Sequence, residues 1–202
     1  MGVNILHLQV MAFINDIYKY ARNGQTVFSL ADLSSINTLY SGKKLNSALK
    51  YLVKNKNLIR ISRGLYAIDD NYLILEYANK FRTPSYISLY SILSQNGVVF
   101  QPYDSIYVVS NRSEVKNIGE KKIIYKKIAD EILLNPVGIE NIGFVTKASV
   151  ERAICDKIYL TGLEYFDNLR GLDFKKIETI NKEVYSNNKK ISKWILQNTK
   201  QI

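Results

Sequence analysis

One cysteine, one histidine and one tryptophan among 202 residues leave little room for several kinds of chemistry. The lone thiol, Cys155, has no partner within the chain, so no intramolecular disulfide frames the fold. The lone imidazole, His7, cannot supply the ligand set of the usual zinc sites and leaves little scope for a Ser-His-Asp triad. Three prolines and ten glycines exclude collagen-like and low-complexity chains. Apolar runs break within about eight residues, well short of the ~20 needed to cross a bilayer. The first twenty residues lack a basic n-region and carry His7, Gln9, Asn15 and Asp16, unlike a secretory signal. Leu6 breaks the myristoylation pattern that Met1 and Gly2 begin. The expectation is a cytoplasmic protein without membrane attachment, metal or cofactor.

What the chain has is apolar sequence enough for a core and a surplus of positive charge. Hydrophobic residues make up 47%, and the length suits one large domain or two small ones. Lys and Arg number 28 against 18 Asp and Glu, a net +10, which favours a polyanionic partner. The surplus is unevenly spread. Residues 1–68 hold nine basic side chains (Lys19, Arg22, Lys43, Lys44, Lys50, Lys54, Lys56, Arg60, Arg63) against Asp16 and Asp32, or +7. Residues 69–128 hold eight against six, and residues 129–202 eleven against ten. Neutralising phosphates needs local basic density, so the first third is the candidate surface.

That third predicts three helices and a hairpin. Apolar positions at Leu6, Val10, Phe13, Ile14 and Ile17 predict a helix over residues 5–22, stopped by Asn23 and Gly24. Ser29 and Asp32 have the spacing of a capping arrangement for a short helix reaching about Ile36. After Ser41 and Gly42, the spacing of Leu45, Ala48, Leu49, Leu52 and Val53 defines one apolar helical face. The runs at 58–61 and 65–68 are β-prone and flank Ser62, Arg63 and Gly64, a turn with glycine available for positive φ. Helix, helix, helix, hairpin is the order of a winged helix-turn-helix, in which the third helix enters a major groove and the wing reaches the flanking backbone. Ser41, Lys43, Lys44 and Lys54 are then candidate contacts around that helix. Asn46, Ser47 and Lys50 can reach base edges, and Arg60 and Arg63 lie on the wing.

Three segments carry a family resemblance. Leu58-Ile-Arg-Ile-Ser-Arg-Gly-Leu-Tyr-Ala-Ile68, then Thr83-Pro-Ser-Tyr-Ile-Ser-Leu-Tyr-Ser-Ile-Leu-Ser94 with Gly97, then Ala148-Ser-Val-Glu-Arg-Ala-Ile-Cys-Asp156, resemble in this order the AbiEi antitoxins of abortive-infection systems. The resemblance implies a transcriptional autorepressor whose winged helix binds inverted repeats of double-stranded DNA upstream of its own operon. It also implies coupling to a nucleotidyltransferase-like toxin whose effect the carboxy-terminal domain counters. The resemblance does not extend to the Lys- and Asn-rich tail over 172–202, so no antitoxic residue carries over there.

The remainder predicts an α+β chain overall: a winged helix-turn-helix over residues 1–80, then a mixed α/β domain over 81–202 with a helical end. Helices are expected at 71–80, 85–96, 149–160, 173–185 and 189–199, and strands at 98–100, 106–110, 121–129 and 143–146. Pro84 and Ser85 read as capping a helix start, Tyr86 as a core ring with a hydroxyl partner, and Ser88 has no assigned role beyond structure. Glu151 suits a helix amino terminus, Arg152 can pair with Asp156 at i+4, and Cys155 reads as a buried, inert thiol.

Two other classes of function remain open on the sequence. Asp104 with Glu120 and Lys122 imitates the Asp, then Glu-x-Lys arrangement of Mg²⁺-dependent nucleases. Ile191, Trp194, Ile195 and Leu196 make the basic tail partly amphipathic, as a surface-adsorbing helix would be, although the same stripe suits a packed terminal helix.

Overall fold

The computed structural model describes the backbone of residues 5–199 and side chains from residue 8 onward. Met1, Gly2 and the side chains of Leu6 and His7, on which parts of the membrane and metal expectations turn, lie outside that description. The chain divides into two compact units, one ending at Phe81 and the other beginning at Arg82. The protein is α+β: amino-terminal helices with a small three-stranded sheet, then a six-stranded mixed sheet and carboxy-terminal helices.

In the first unit α1 (Ile5–Arg22) and α2 (Leu30–Ile36) pack with α3 (Gly42–Lys54) around Phe13, Ile17, Leu33, Leu49 and Leu52, all essentially inaccessible. The stripe on α3 buries Leu45, Ala48, Leu49 and Leu52, while Val53 is only half-buried. Each buried leucine contributes about 1.5–3 kcal/mol, which fixes how the helix is rotated. The sheet is antiparallel with the order β1 (Val27–Ser29), β3 (Leu65–Ala67), β2 (Ile59–Ser62). Strand β1 has no counterpart in the sequence reading; its three residues sit between a helix stop and a helix cap and show no alternation of their own. Helix α4 (Ile74–Phe81) closes the unit, starting three residues later than expected.

Ser29 and Asp32 form a reciprocal capping box. The Asp32 N–H donates to Ser29 Oγ at 3.1 Å, and Asp32 Oδ2 accepts from the Ser29 N–H at 2.7 Å. The same oxygen accepts from Lys80 Nζ of α4 at 2.6 Å. Burial pushes the Asp32 carboxyl up, but hydrogen bonds from Lys80 and Ser29 outweigh it and hold the group below the ordinary carboxylate range. A depressed folded value means that Asp32 stabilises fully above the ordinary range and loses that contribution as pH falls through its folded value. Asp32→Asn is therefore expected to lose about 1 kcal/mol of cap stability at neutral pH. It should also lose less stability than the parent on acidification below about pH 4, read by urea titration of the helical circular dichroism at both pH values.

The second unit is built on a sheet of order β6-β7-β5-β4-β9-β8. Its strands are β4 (Ser85–Ile87), β5 (Ser105–Ser110), β6 (Glu114–Ile118), β7 (Lys121–Lys127), β8 (Ile139–Ile142) and β9 (Val145–Ala148). The β5–β7 and β4–β9 pairs are parallel and the others antiparallel. Its helices are α5 (Tyr90–Gln95), the single turn α6 (Asp130–Leu133), α7 (Val150–Thr161), α8 (Phe174–Tyr185) and α9 (Lys189–Asn198).

Three expectations fail here. Residues 85–96 are not one helix: 85–87 form a central strand, Leu89 takes φ 53°, and the helix starts only at Tyr90, so Pro84 precedes a strand rather than capping a helix. Residues 98–100 form no strand, because the Val98 and Val99 N–H groups both turn back to the Leu93 carbonyl at the end of α5. The strand expected at 143–146 begins at Val145, since Gly143, at φ 59°, is in the turn from β8.

The core of this unit is polar at its centre. Asp156 on α7 is fully buried; its Oδ1 accepts from Tyr86 (2.9 Å) and Tyr185 (2.6 Å), and its Oδ2 from Ser88 (2.7 Å). One carboxylate thereby joins β4 and the residue after it to α7 and α8. Arg152, also fully buried, lies with Nε 3.6 Å from Asp156 Oδ1 and donates to the carbonyls of Val137 (2.6 Å) and Ile132 (2.7 Å). The i+4 pair and the partnered Tyr86 hydroxyl expected from the sequence are both present. Burial pushes the Asp156 carboxyl up, opposed by Arg152 and the three hydroxyls. Burial also lifts the Cys155 thiol well above its ordinary value, as an inert core cysteine requires. Gly138 passes so close that a Cβ there would lie 2.9 Å from Arg152 Cβ, and its φ of +75° is one that L side chains rarely adopt. Glu151 sits in the first turn of α7, as expected, and pairs with Lys176 at 2.8 Å.

Candidate nucleic-acid interface

Because the apolar stripe of α3 faces the core, its opposite face is left outside: Lys43, Lys44, Asn46, Ser47, Lys50 and Lys54 are all exposed. Ser41 is the N-cap residue by backbone, yet its hydroxyl makes no capping bond and stays available. Lys44 is placed more firmly than an ordinary surface lysine. Its Nζ lies 4.9 Å from the centroid of the Tyr40 ring, and that ring stacks on Phe13 at 4.3 Å. The ammonium is thus held near the start of α3 by a cation–π contact on a buried aromatic pair.

On the hairpin, Arg60 in edge strand β2 lies opposite Tyr66, and Arg63 occupies the turn; both are exposed. The ladder shifts register between Arg60 and Ser62, a bulge that twists the edge. Gly64 completes the turn at φ 78°, and its carbonyl accepts from the Leu30 N–H at 3.1 Å. The hairpin tip is thereby tied to the first residue of α2.

The carboxylates of residues 1–68 are engaged elsewhere. Asp16 binds Lys19 and Asn37, and Asp32 binds Ser29 and Lys80. Among the described residues Lys43, Lys50, Lys54, Arg60 and Arg63 have no carboxylate partner. The predicted residues therefore form two groups on one unit, one on α3 and one on the hairpin, with their charge uncompensated. Sequence reasoning left out Lys56, exposed at the corner between α3 and β2 in a left-handed conformation (φ 57°). Its place two residues beyond Lys54, the basic end of the helix, was the available signal.

The other candidate groups gather less. The parallel register sets Ser105 opposite Lys122, so Asp104 and Glu120 fall at the same end of β5 and β7. Both are exposed, and no cluster of three or more His, Cys, Asp or Glu suited to a metal occurs among the described residues. In the tail, Ile191, Trp194 and Ile195 are buried; Trp194 stacks on Phe174 at 5.8 Å and meets Phe166 edge-on, leaving only Leu196 of the four exposed. No described helix is long and apolar enough to cross a membrane.

No protein-family model matches this chain, and no curated protein matches it.

Proposed function

We propose that the first unit is a winged helix-turn-helix that binds double-stranded DNA and makes this protein a sequence-specific transcriptional repressor of its own operon. The observation that carries this reading is the set of unneutralised cations on the exposed face of α3 and on the adjoining hairpin. That face also presents Asn46 and Ser47, side chains suited to base edges. Helix α3 enters the major groove, with Lys43 and Lys44 on phosphates and Lys50 within reach of bases; Arg60 and Arg63 follow the flanking backbone. The resemblance of the three segments to AbiEi extends the reading to an antitoxin acting in the cytoplasm against a nucleotidyltransferase-like toxin, with inverted repeats as the operator. No cofactor and no catalytic step belongs to it.

Footprinting of the purified full chain on the DNA upstream of its own gene tests the proposal. Two symmetric protected stretches are expected at about 50 mM salt, fading toward about 200 mM. Adding Mg²⁺ should leave the duplex uncut. Absence of protection overturns the repressor reading, and Mg²⁺-dependent cleavage would replace it with the nuclease built on Asp104, Glu120 and Lys122.

A further inference from the structure

The sheet of the second unit leaves part of one face open across β6, β7 and β5. Val115, Ile124 and Tyr107 are in register on these strands and so share that face. Val115 is 56% exposed, and Ile124 and Tyr107 are half-buried. Lys122 and Lys126 lie two residues to either side of Ile124, on the same face, and both are exposed. Among the described residues neither lysine makes an ion pair. Asn117 and Ser105 flank Lys122 in register. A cluster of rings stands beside this row. Tyr90 and Tyr103 stack at 4.1 Å, and Tyr107 meets them at 5.3 and 5.9 Å with interplanar angles of 74° and 90°. A ring about equally distant from both members of a stack lies beside it, so both neighbours leave the outer face of Tyr103 clear. Tyr90 is itself fixed: its hydroxyl donates to Glu164 Oε1 at 2.6 Å, and Lys157 Nζ lies 4.8 Å from its ring centroid. Phe100, in the loop that leads to Tyr103, is 69% exposed.

We propose that this face binds single-stranded RNA. A ring with an open face takes up an unpaired base whatever its identity, and cations beside it take up the phosphates. One base continues the Tyr90–Tyr103 stack on the outer face of Tyr103, and the next lies against Ile124 and Val115. Lys122 and Lys126, about 13 Å apart along β7, meet phosphates on either side of that row. They are the only charged residues of the three strands on this face, since Glu114 and Lys116 alternate to the opposite one. That single sign fits a polyanion better than a protein surface of mixed charge. A duplex does not fit, because its bases stack on one another and have no free face to offer. Asn117 and Ser105 supply an amide and a hydroxyl for 2′-hydroxyl groups, which separate RNA from DNA. The exposed carboxylates of Asp104 and Glu120, just before the first residues of β5 and β7, bound the path at that end. Nothing in this assignment depends on DNA binding by the first unit.

The probe is a fluorescently labelled decauridylate, titrated with the full chain and followed by anisotropy from about 50 mM salt upward. Saturable binding is expected, with the decathymidylate weaker. Tyr103→Ala should weaken binding about five- to a hundredfold, whereas Tyr103→Phe, which keeps the ring, should bind as the parent does. Lys122→Gln with Lys126→Gln, both on the surface, should flatten the slope of log affinity against log salt by about 1.4, roughly 0.7 for each phosphate on a single strand. Lys43→Ala with Lys44→Ala should change neither affinity nor slope, so a failure of the winged-helix reading leaves this result standing. No saturable binding up to about 1 mM protein, or parent-like binding by Tyr103→Ala or by the Lys122 and Lys126 variant, overturns the assignment. Loss of binding in the Lys43 and Lys44 variant would place the oligonucleotide on the first unit, and equal affinity for the decathymidylate would remove RNA as the occupant; either overturns it too.

Discussion

With Lys43 and Lys44 both replaced by alanine, the chain is expected to bind every duplex sequence more weakly and to show a shallower dependence on salt. Each phosphate contact contributes roughly 0.9 to the slope of log affinity against log salt, so losing two should flatten it by nearly ~2. The two lysines are not equivalent in the structure. Lys43 is an unpaired surface cation, whereas Lys44 is already held over Tyr40 and surrenders less freedom when it meets a phosphate. Lys44→Ala alone should therefore weaken binding more than Lys43→Ala alone, although both remove one unit of charge. Asn46→Ala provides the contrast. A residue reading a base edge should lower discrimination between operator and unrelated duplex by about 1–3 kcal/mol and leave the salt slope in place. Gel-shift titrations at several salt concentrations separate the two patterns. Parent-like affinity and slope in the double lysine variant would remove α3 from the interface.

The first unit was largely legible because its signals are local. A four-residue spacing placed the capping box, one apolar stripe placed α3, and a glycine-containing turn between β-prone runs placed the hairpin. The candidate site followed, since fixing which face of α3 is buried also fixes which residues lie outside. The second unit was less legible because its order is set by pairing between distant strands. Ser85, Tyr86 and Ile87 read as the start of a helix because Pro84 and Ser85 suit a helix amino terminus and Asn96 with Gly97 suits its stop. Their conformation is decided instead by neighbours on both sides, β5 and β9. Strands β6 and β8 are short and polar, Glu114–Ile118 and Ile139–Ile142, and carry little β-propensity. Their signal lay in the turns: Gly119 with Glu120, and Gly143 with Phe144, are two-residue hairpin loops led by a glycine at positive φ.

Truncating Arg152 to alanine is expected to be the most damaging single change in the second unit, at about 3–5 kcal/mol. The guanidinium is fully buried, and its removal leaves the Asp156 carboxylate without its cation and the carbonyls of Val137 and Ile132 without their donor. It also opens space between the rings of Tyr86 and Tyr185, which the guanidinium faces at 5.5 and 5.3 Å. Asp156→Asn should cost less, about 1–3 kcal/mol, because the amide oxygen still accepts a hydroxyl while the amide nitrogen meets donors from the other side. In the double variant, Arg152→Ala with Asp156→Asn, the cost should fall short of the sum of the two single costs, since no buried charge is left unpaired. Urea titrations followed by Trp194 emission report this unit directly, and the midpoint should drop while the slope with denaturant stays constant. If Arg152→Ala lowered stability by less than about 1 kcal/mol, or the two changes were additive, the pair could not be what joins β4, α7 and α8. The segments at 83–94 and 148–156 that resemble AbiEi contain Tyr86, Ser88, Arg152 and Asp156. By this reasoning these four side chains form a buried polar joint of the fold, and their place in those segments is accounted for by stability.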